Sequence, residues 1–240
     1  MKKLAILSLA VFAVFILSAV IYAQTEQTQP ASPEKTEQLN IKMNEALTLI
    51  KEKKNAEAEV IFNELLKEYP ANIDVLFLAG VNYIEMSKFE EARKLADSIL
   101  KKDEKNLLML KLKGRAYLAE KEYGDALDVL ENTTEYHPND LEAWIMMSVA
   151  AIYDKSWGKA IDAADEALKI DPKNVIALSY KGNALIAKKK WDKAVEVFDQ
   201  ILAIDPQNDF AKKTKQMAER KMKETKGSRR VDDAMGEEHP

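Results

Sequence analysis

Residues 107–140, LLMLKLKGRAYLAEKEYGDALDVLENTTEYHPND, and residues 141–174, LEAWIMMSVAAIYDKSWGKAIDAADEALKIDPKN, align phase for phase without a gap. The register extends in both directions, so Leu39 to Asn208 divides into five units of 34 residues: 39–72, 73–106, 107–140, 141–174 and 175–208. Alanine returns at Ala58, Ala92, Ala126, Ala160 and Ala194. Twelve residues ahead of each stands a small residue: Ala46, Gly80, Gly114, Ser148 or Gly182. Twelve behind comes Pro70, Pro138, Pro172 or Pro206, with Glu104 in the second unit. Three ahead lie Asn55, Phe89, Tyr123, Trp157 and Trp191, aromatic in all but the first. A fixed period of this size marks an array of stacked units.

Within a unit the spacing predicts two short helices and a tight turn. In the third unit these are Leu107 to Glu120 and about Gly124 to Tyr136. Leu110, Tyr117 and Leu118 share one face of the first, while Leu127, Leu130 and Thr134 share one face of the second. Gly114 and Ala126 remove bulk where the two helices cross. Proline is expected to stop the second helix, having no amide proton and disfavouring helix in the residue before it. Helices of this length are marginal alone, so each hairpin leans on the next, and burying one large apolar side chain contributes roughly 1.5–3 kcal/mol. The first unit carries Lys42 and Glu45 where later units have residues such as Leu76 and Ala79, as an end cap requires.

These units resemble tetratricopeptide repeats over residues 39–208. The large–small–aromatic signature of the first helix is carried by Leu76, Gly80 and Tyr83 and by Leu110, Gly114 and Tyr117. In the fourth unit Trp144, Ser148 and Ala151 hold the same places, with the aromatic replaced, and the second-helix signature is carried by Ala194, Phe198 and Pro206. Departures are Glu104 for proline, Thr133 at a small or aliphatic site, and Lys53, Ser87, Lys121, Lys155 and Lys189 in place of the turn glycine. The implied fold is an all-α solenoid of five helix-turn-helix repeats with a closing helix over 209–225, followed by a disordered tail, 226–240.

The N-terminus reads Met-Lys-Lys and then an uncharged, mainly apolar run from Leu4 to Ala23. Two lysines before such a run direct the remainder across a membrane. Residues 1–23 are therefore either a signal peptide cleaved after Ile21-Tyr22-Ala23 or a retained transmembrane anchor. Residues 24–38, rich in Gln, Thr, Glu and Pro, read as a flexible polar linker. With no cysteine in the chain, a lipidated cysteine and disulfides are both excluded. The expected location is periplasmic or on the extracytoplasmic face of the inner membrane. The closing helix, to be held by Phe210, Met217 and Thr214, is basic: residues 212–230 hold nine Lys or Arg against Glu219 and Glu224, in a chain of net charge −4. That segment reads as the solvated face of an end cap, with anionic lipid or an acidic partner as alternatives; nucleic acid is not expected of an exported chain.

No catalytic constellation is visible. The two histidines, His137 and His239, have no metal-ligand spacing around them, and the sequence holds neither a phosphate-cradling loop nor a nucleophile elbow. No enzyme activity, metal or cofactor is expected. Function is expected in the groove that the resemblance implies, lined by the second, fifth, ninth, twelfth and thirteenth residues of each unit. Those positions give Phe77, Val81 and Ile84 in the second unit and Lys111, Arg115 and Leu118 in the third. The fourth supplies Ile145, Val149, Ile152 and Tyr153, and the fifth Ile176, Asn183 and Ile186. The set is mostly apolar, with Lys111 and Arg115 as a cationic spot for a partner's acidic group. The carboxylate clamp of heat-shock co-chaperones is absent, since Met146, Ile176 and Tyr180 stand at its later positions. The resulting expectation is a non-enzymatic scaffold that binds a protein or peptide partner in envelope assembly, secretion or maturation of an exported complex. Alternatives are a self-assembling homo-oligomer or a membrane-surface protein using the basic helix.

Overall fold

A computed structural model describes residues 33–236, and all regular structure among them is helical. In chain order the helices are α1 (Pro33–Lys51), α2 (Asn55–Glu68), α3 (Ile73–Glu85), α4 (Phe89–Leu100), α5 (Leu107–Glu120), α6 (Tyr123–Tyr136), α7 (Leu141–Tyr153), α8 (Trp157–Ile170), α9 (Val175–Ala187), α10 (Trp191–Ile204) and α11 (Asp209–Gly236). They form two compact units, one ending at Met86 and one beginning at Ser87. The residues of the expected membrane segment, 1–23, lie outside the described part. So do most of the linker and residues 237–240.

In the first unit α2 packs on both α1 and α3, around Ala46, Ile50, Phe62 and Leu65. Helix α1 starts at Pro33, so the polar linker is helical over its last residues. Ile41 is 59% exposed, whereas Val75, Met109, Ala143 and Ala177, at its phase in later units, are fully buried. Asn55 and Asn82 replace the aromatic and the alanine (Tyr123 and Ala150, for example) found at the same phases further on. Asn82 is wholly buried and donates to the Asn55 carbonyl at 3.1 Å.

In the second unit each helix packs on the next from α4 to α11, and the first helices of successive repeats, α5, α7 and α9, also lie side by side. Every first helix after α1 begins with the same device. Asn72, Asn106, Asp140, Asn174 and Asn208 each accept a hydrogen bond, through a side-chain oxygen, from the backbone N–H three residues on. Such a cap satisfies an otherwise unpaired helix-end donor and contributes about 1 kcal/mol. Asp171 and Asp205 brace the caps by accepting from the Asn174 and Asn208 amides.

The turns within hairpins are left-handed. Lys53, Ser87, Lys121, Lys155 and Lys189 have φ between 56° and 71°. Behind four of them a backbone N–H reaches back to close the helix end, as Glu122 does to the Tyr117 carbonyl at 3.0 Å. The second helices of the proline-bearing units end two residues before the proline, but proline is not required: α4, which has Glu104 in its place, stops at Leu100, earlier in phase than its counterparts. There Lys102 and Asp103 both turn back onto the Ile99 carbonyl, and Asp103 accepts from the cap residue Asn106.

The small residues work as expected but against different partners. A methyl group on Gly114 would meet the Leu130 side chain at 3.1 Å, and one on Gly182 would meet the Phe198 ring at 2.7 Å. Helix α11 occupies the place of a sixth first helix. Its buried contacts to α10 are Ala211 and Ala218, at the phase of Ala177 and Ala184, packed with Phe198 and Ile201. Phe210 stays substantially exposed and touches Phe198 edge-on, so the alanines and not Phe210, Met217 or Thr214 form the buried seam. The helix continues to Gly236, beyond the expected end at Thr225 and into the stretch read as a disordered tail.

Candidate functional site

The groove positions fall in both units, Phe77, Val81 and Ile84 on α3 of the first and the other ten on α5, α7 and α9 of the second. Phe77 and Ile84 are buried, which leaves half-buried Val81 as the surface residue of that trio. In the second unit Ile145 is also buried, against Ala167 and Ala177. These three are core residues and have little surface to offer a partner. Leu118, Val149, Ile152, Ile176, Asn183 and Ile186 are half-buried. Leu118 and Ile152 lie against the cluster around Leu130 and Met146, and Ile186 against the cluster around Leu185 and Phe198. Tyr153 is 41% exposed and its ring stacks on Tyr123 at 5.1 Å between centroids. Tyr180 lies beside Ile145 and Ile176, and burial pushes its hydroxyl up to about 12.

Lys111 and Arg115 do not form a free cationic spot. Lys111 is 6% exposed, and its ammonium sits 2.9 Å from Glu142 and 3.1 Å from Asp140. Arg115 donates to the second Glu142 oxygen. Burial alone would raise the Glu142 carboxyl, but the charges of Arg115 and Lys111 outweigh it and hold the group below its ordinary range. Asp140 serves twice, accepting from Lys111 with one oxygen and capping α7 with the other. These pairings engage both cations within the protein and tie α5 to α7. Sequence reading missed the partners because they stand 29 and 31 residues from Lys111, in the next repeat.

The partly open face that remains on α5, α7 and α9 is thus mainly an aliphatic and aromatic row, with Ser179 and Asn183 as uncharged polar members. Helix α11 packs on α10. His137 donates from its ring to the Lys105 carbonyl, linking the loops that precede α5 and α7. Among the described residues no group of three or more His, Asp or Glu is placed to hold a metal ion.

Fold, register and surface together define a helical-hairpin repeat protein. Tetratricopeptide repeat models match residues 49–116 and 151–216, and another matches 111–175, so the chain belongs to the tetratricopeptide repeat family. A search of curated proteins found no match. Among solved structures, MamA from Desulfovibrio magneticus RS-1 is similar at 22% identity and a TM-score of 0.61, over 71% of this chain and 97% of that one. A tetratricopeptide repeat protein from Parabacteroides merdae is similar at 17% identity and a TM-score of 0.64, over 85% and 81%. YrrB, described as a TPR protein with an unusual peptide-binding site, is similar at 20% identity and a TM-score of 0.58, over 73% and 90%.

Proposed function

We propose that this protein is a non-enzymatic adaptor that holds a partner polypeptide on the α5–α7–α9 face. The observation that carries the reading is the half-buried row of Leu118, Val149, Ile152, Ile176 and Ile186 beside exposed Tyr153. Apolar side chains left partly open along adjacent helices suit a peptide with hydrophobic anchors, in helical or extended form. Because Lys111 and Arg115 are neutralised within the protein, affinity comes from those anchors and not from an acidic group on the partner. The peptide-binding site described for YrrB is in keeping with this use of the fold.

The sequence supports a location beyond the cytoplasmic membrane, in envelope assembly, secretion or maturation of an exported complex. The lysine pair before the Leu4–Ala23 run carries that part of the proposal. Protease digestion of spheroplasts tests it: the repeats should be cut from outside, and protection until lysis contradicts export. The mass of the mature chain then distinguishes a removed signal from a retained anchor. For the groove, Val149→Lys combined with Ile176→Lys should abolish co-purification of the partner while the thermal melt stays within a few degrees. Undiminished co-purification contradicts the groove.

A further inference from the structure

Helix α11 carries a cationic stripe on the side opposite its seam. Ala211 and Ala218 are buried against α10, while Lys213, Gln216, Arg220 and Lys223, spaced three, four and three apart, share the outward face. Arg220 is 71% exposed. The two acids of this stretch are already engaged, Glu219 with Lys215 and Glu224 with Lys221 and Arg220. Lys213 and Lys223 have no carboxylate within ion-pair distance among the described residues. Helix α11 holds nine Lys or Arg against five acids, an excess of four, and residues 212–230 within it an excess of seven, in a chain of net charge −4, so positive charge is concentrated on this part of the helix while the rest of the chain is acidic.

We propose that this stripe docks on the anionic headgroups of a phospholipid membrane. It is a different face from the α5–α7–α9 row and does not depend on it. No helix among the described residues is long and apolar enough to cross a bilayer, and the small apolar seam of α11 is already used against α10. The helix therefore lies on the surface, held by charge, and each Lys or Arg within a Debye length strengthens binding by roughly fivefold. Lipid is the favoured anionic partner because the same chain begins with an apolar run that directs it to a membrane.

The chain has no cysteine, so Gln216→Cys provides a unique labelling site in the middle of the stripe. The full-length protein, labelled there with a donor dye, is mixed with vesicles carrying an acceptor on their headgroups. Energy transfer should be strong with phosphatidylglycerol vesicles and at least ~fivefold weaker with phosphatidylcholine. It should fall to the phosphatidylcholine level in high salt, and also in Lys213→Glu/Arg220→Glu/Lys223→Glu, whose circular dichroism should match the parent. Transfer that ignores lipid charge, or survives the triple reversal, overturns the proposal. So does a label that responds to an oligonucleotide or an acidic peptide but not to anionic vesicles.

Discussion

Gly182 is a packing requirement, and Gly114 is a weaker version of the same one. A methyl at 182 would fall 2.7 Å from the Phe198 ring, which is fully buried and edge-on to Phe210. Gly182→Ala should therefore cost about 1–3 kcal/mol, more than the ~1 kcal/mol returned by helix propensity. At 114 the nearest atoms are Cδ2 and Cγ of Leu130, at 3.1 and 3.2 Å, which need to give by only a few tenths of an ångström, so Gly114→Ala should stay within about 0.5 kcal/mol of the parent. Urea unfolding of the two variants separates these outcomes. The turn lysines act in the opposite sense. Lys121 has φ 71°, a region where a side chain is strained, and Lys121→Gly should raise stability by about 0.5–1 kcal/mol in the same assay. Both sites were visible in the sequence as a phase, small at 114 and 182 and lysine at 121. Their partners were not, because Leu130 and Phe198 are two of several apolar residues that could have filled the space.

At the scale of the helix, ends and pairings decide the register. The acidic or amide caps recur every repeat at the last residue, a pattern present in the sequence once the hydrogen bond explains it. The Lys111–Arg115–Asp140–Glu142 cluster is different: charge alone marked two cations as available, and only the packing of α5 on α7 brings carboxylates to them. Breaking it should be structural. Glu142→Gln removes the carboxylate that Arg115 and Lys111 share and should cost about 1–3 kcal/mol. Because the Glu142 carboxyl is held below its ordinary range when folded, its contribution is complete above the unfolded value of about 4.3 and is lost as pH falls through the folded one. The difference in stability between parent and Glu142→Gln should be flat from about pH 6 to 8 and shrink on acidification, read by urea melts across pH. Reversing Lys111 and Arg115 together would gather four carboxylates in one half-buried place, so it should unfold the region and cannot serve as a neutral probe of binding.

For the molecule, period was the legible quantity. The repeat spacing is enough to read an all-α array of hairpins, and the described helices follow it to within a residue or two in most units. Which members of the groove face remain open was not legible, because residues at the same phase can be core or surface. Ile84 is buried and Ile152, two repeats on, is half open, although both are the twelfth residue of their unit, a position that the family resemblance assigns to the groove. The second unit therefore presents a smaller and less cationic surface than its ten aligned positions suggest. Photo-crosslinking in cells tests that surface directly, with a photoreactive residue at Val149 on α7 or at Asp162, which is exposed on α8. A discrete adduct with one other polypeptide from position 149, absent from 162, is the predicted result. Equal adducts from both positions, or none from 149 while the protein is folded and abundant, would contradict a partner held on the α5–α7–α9 face.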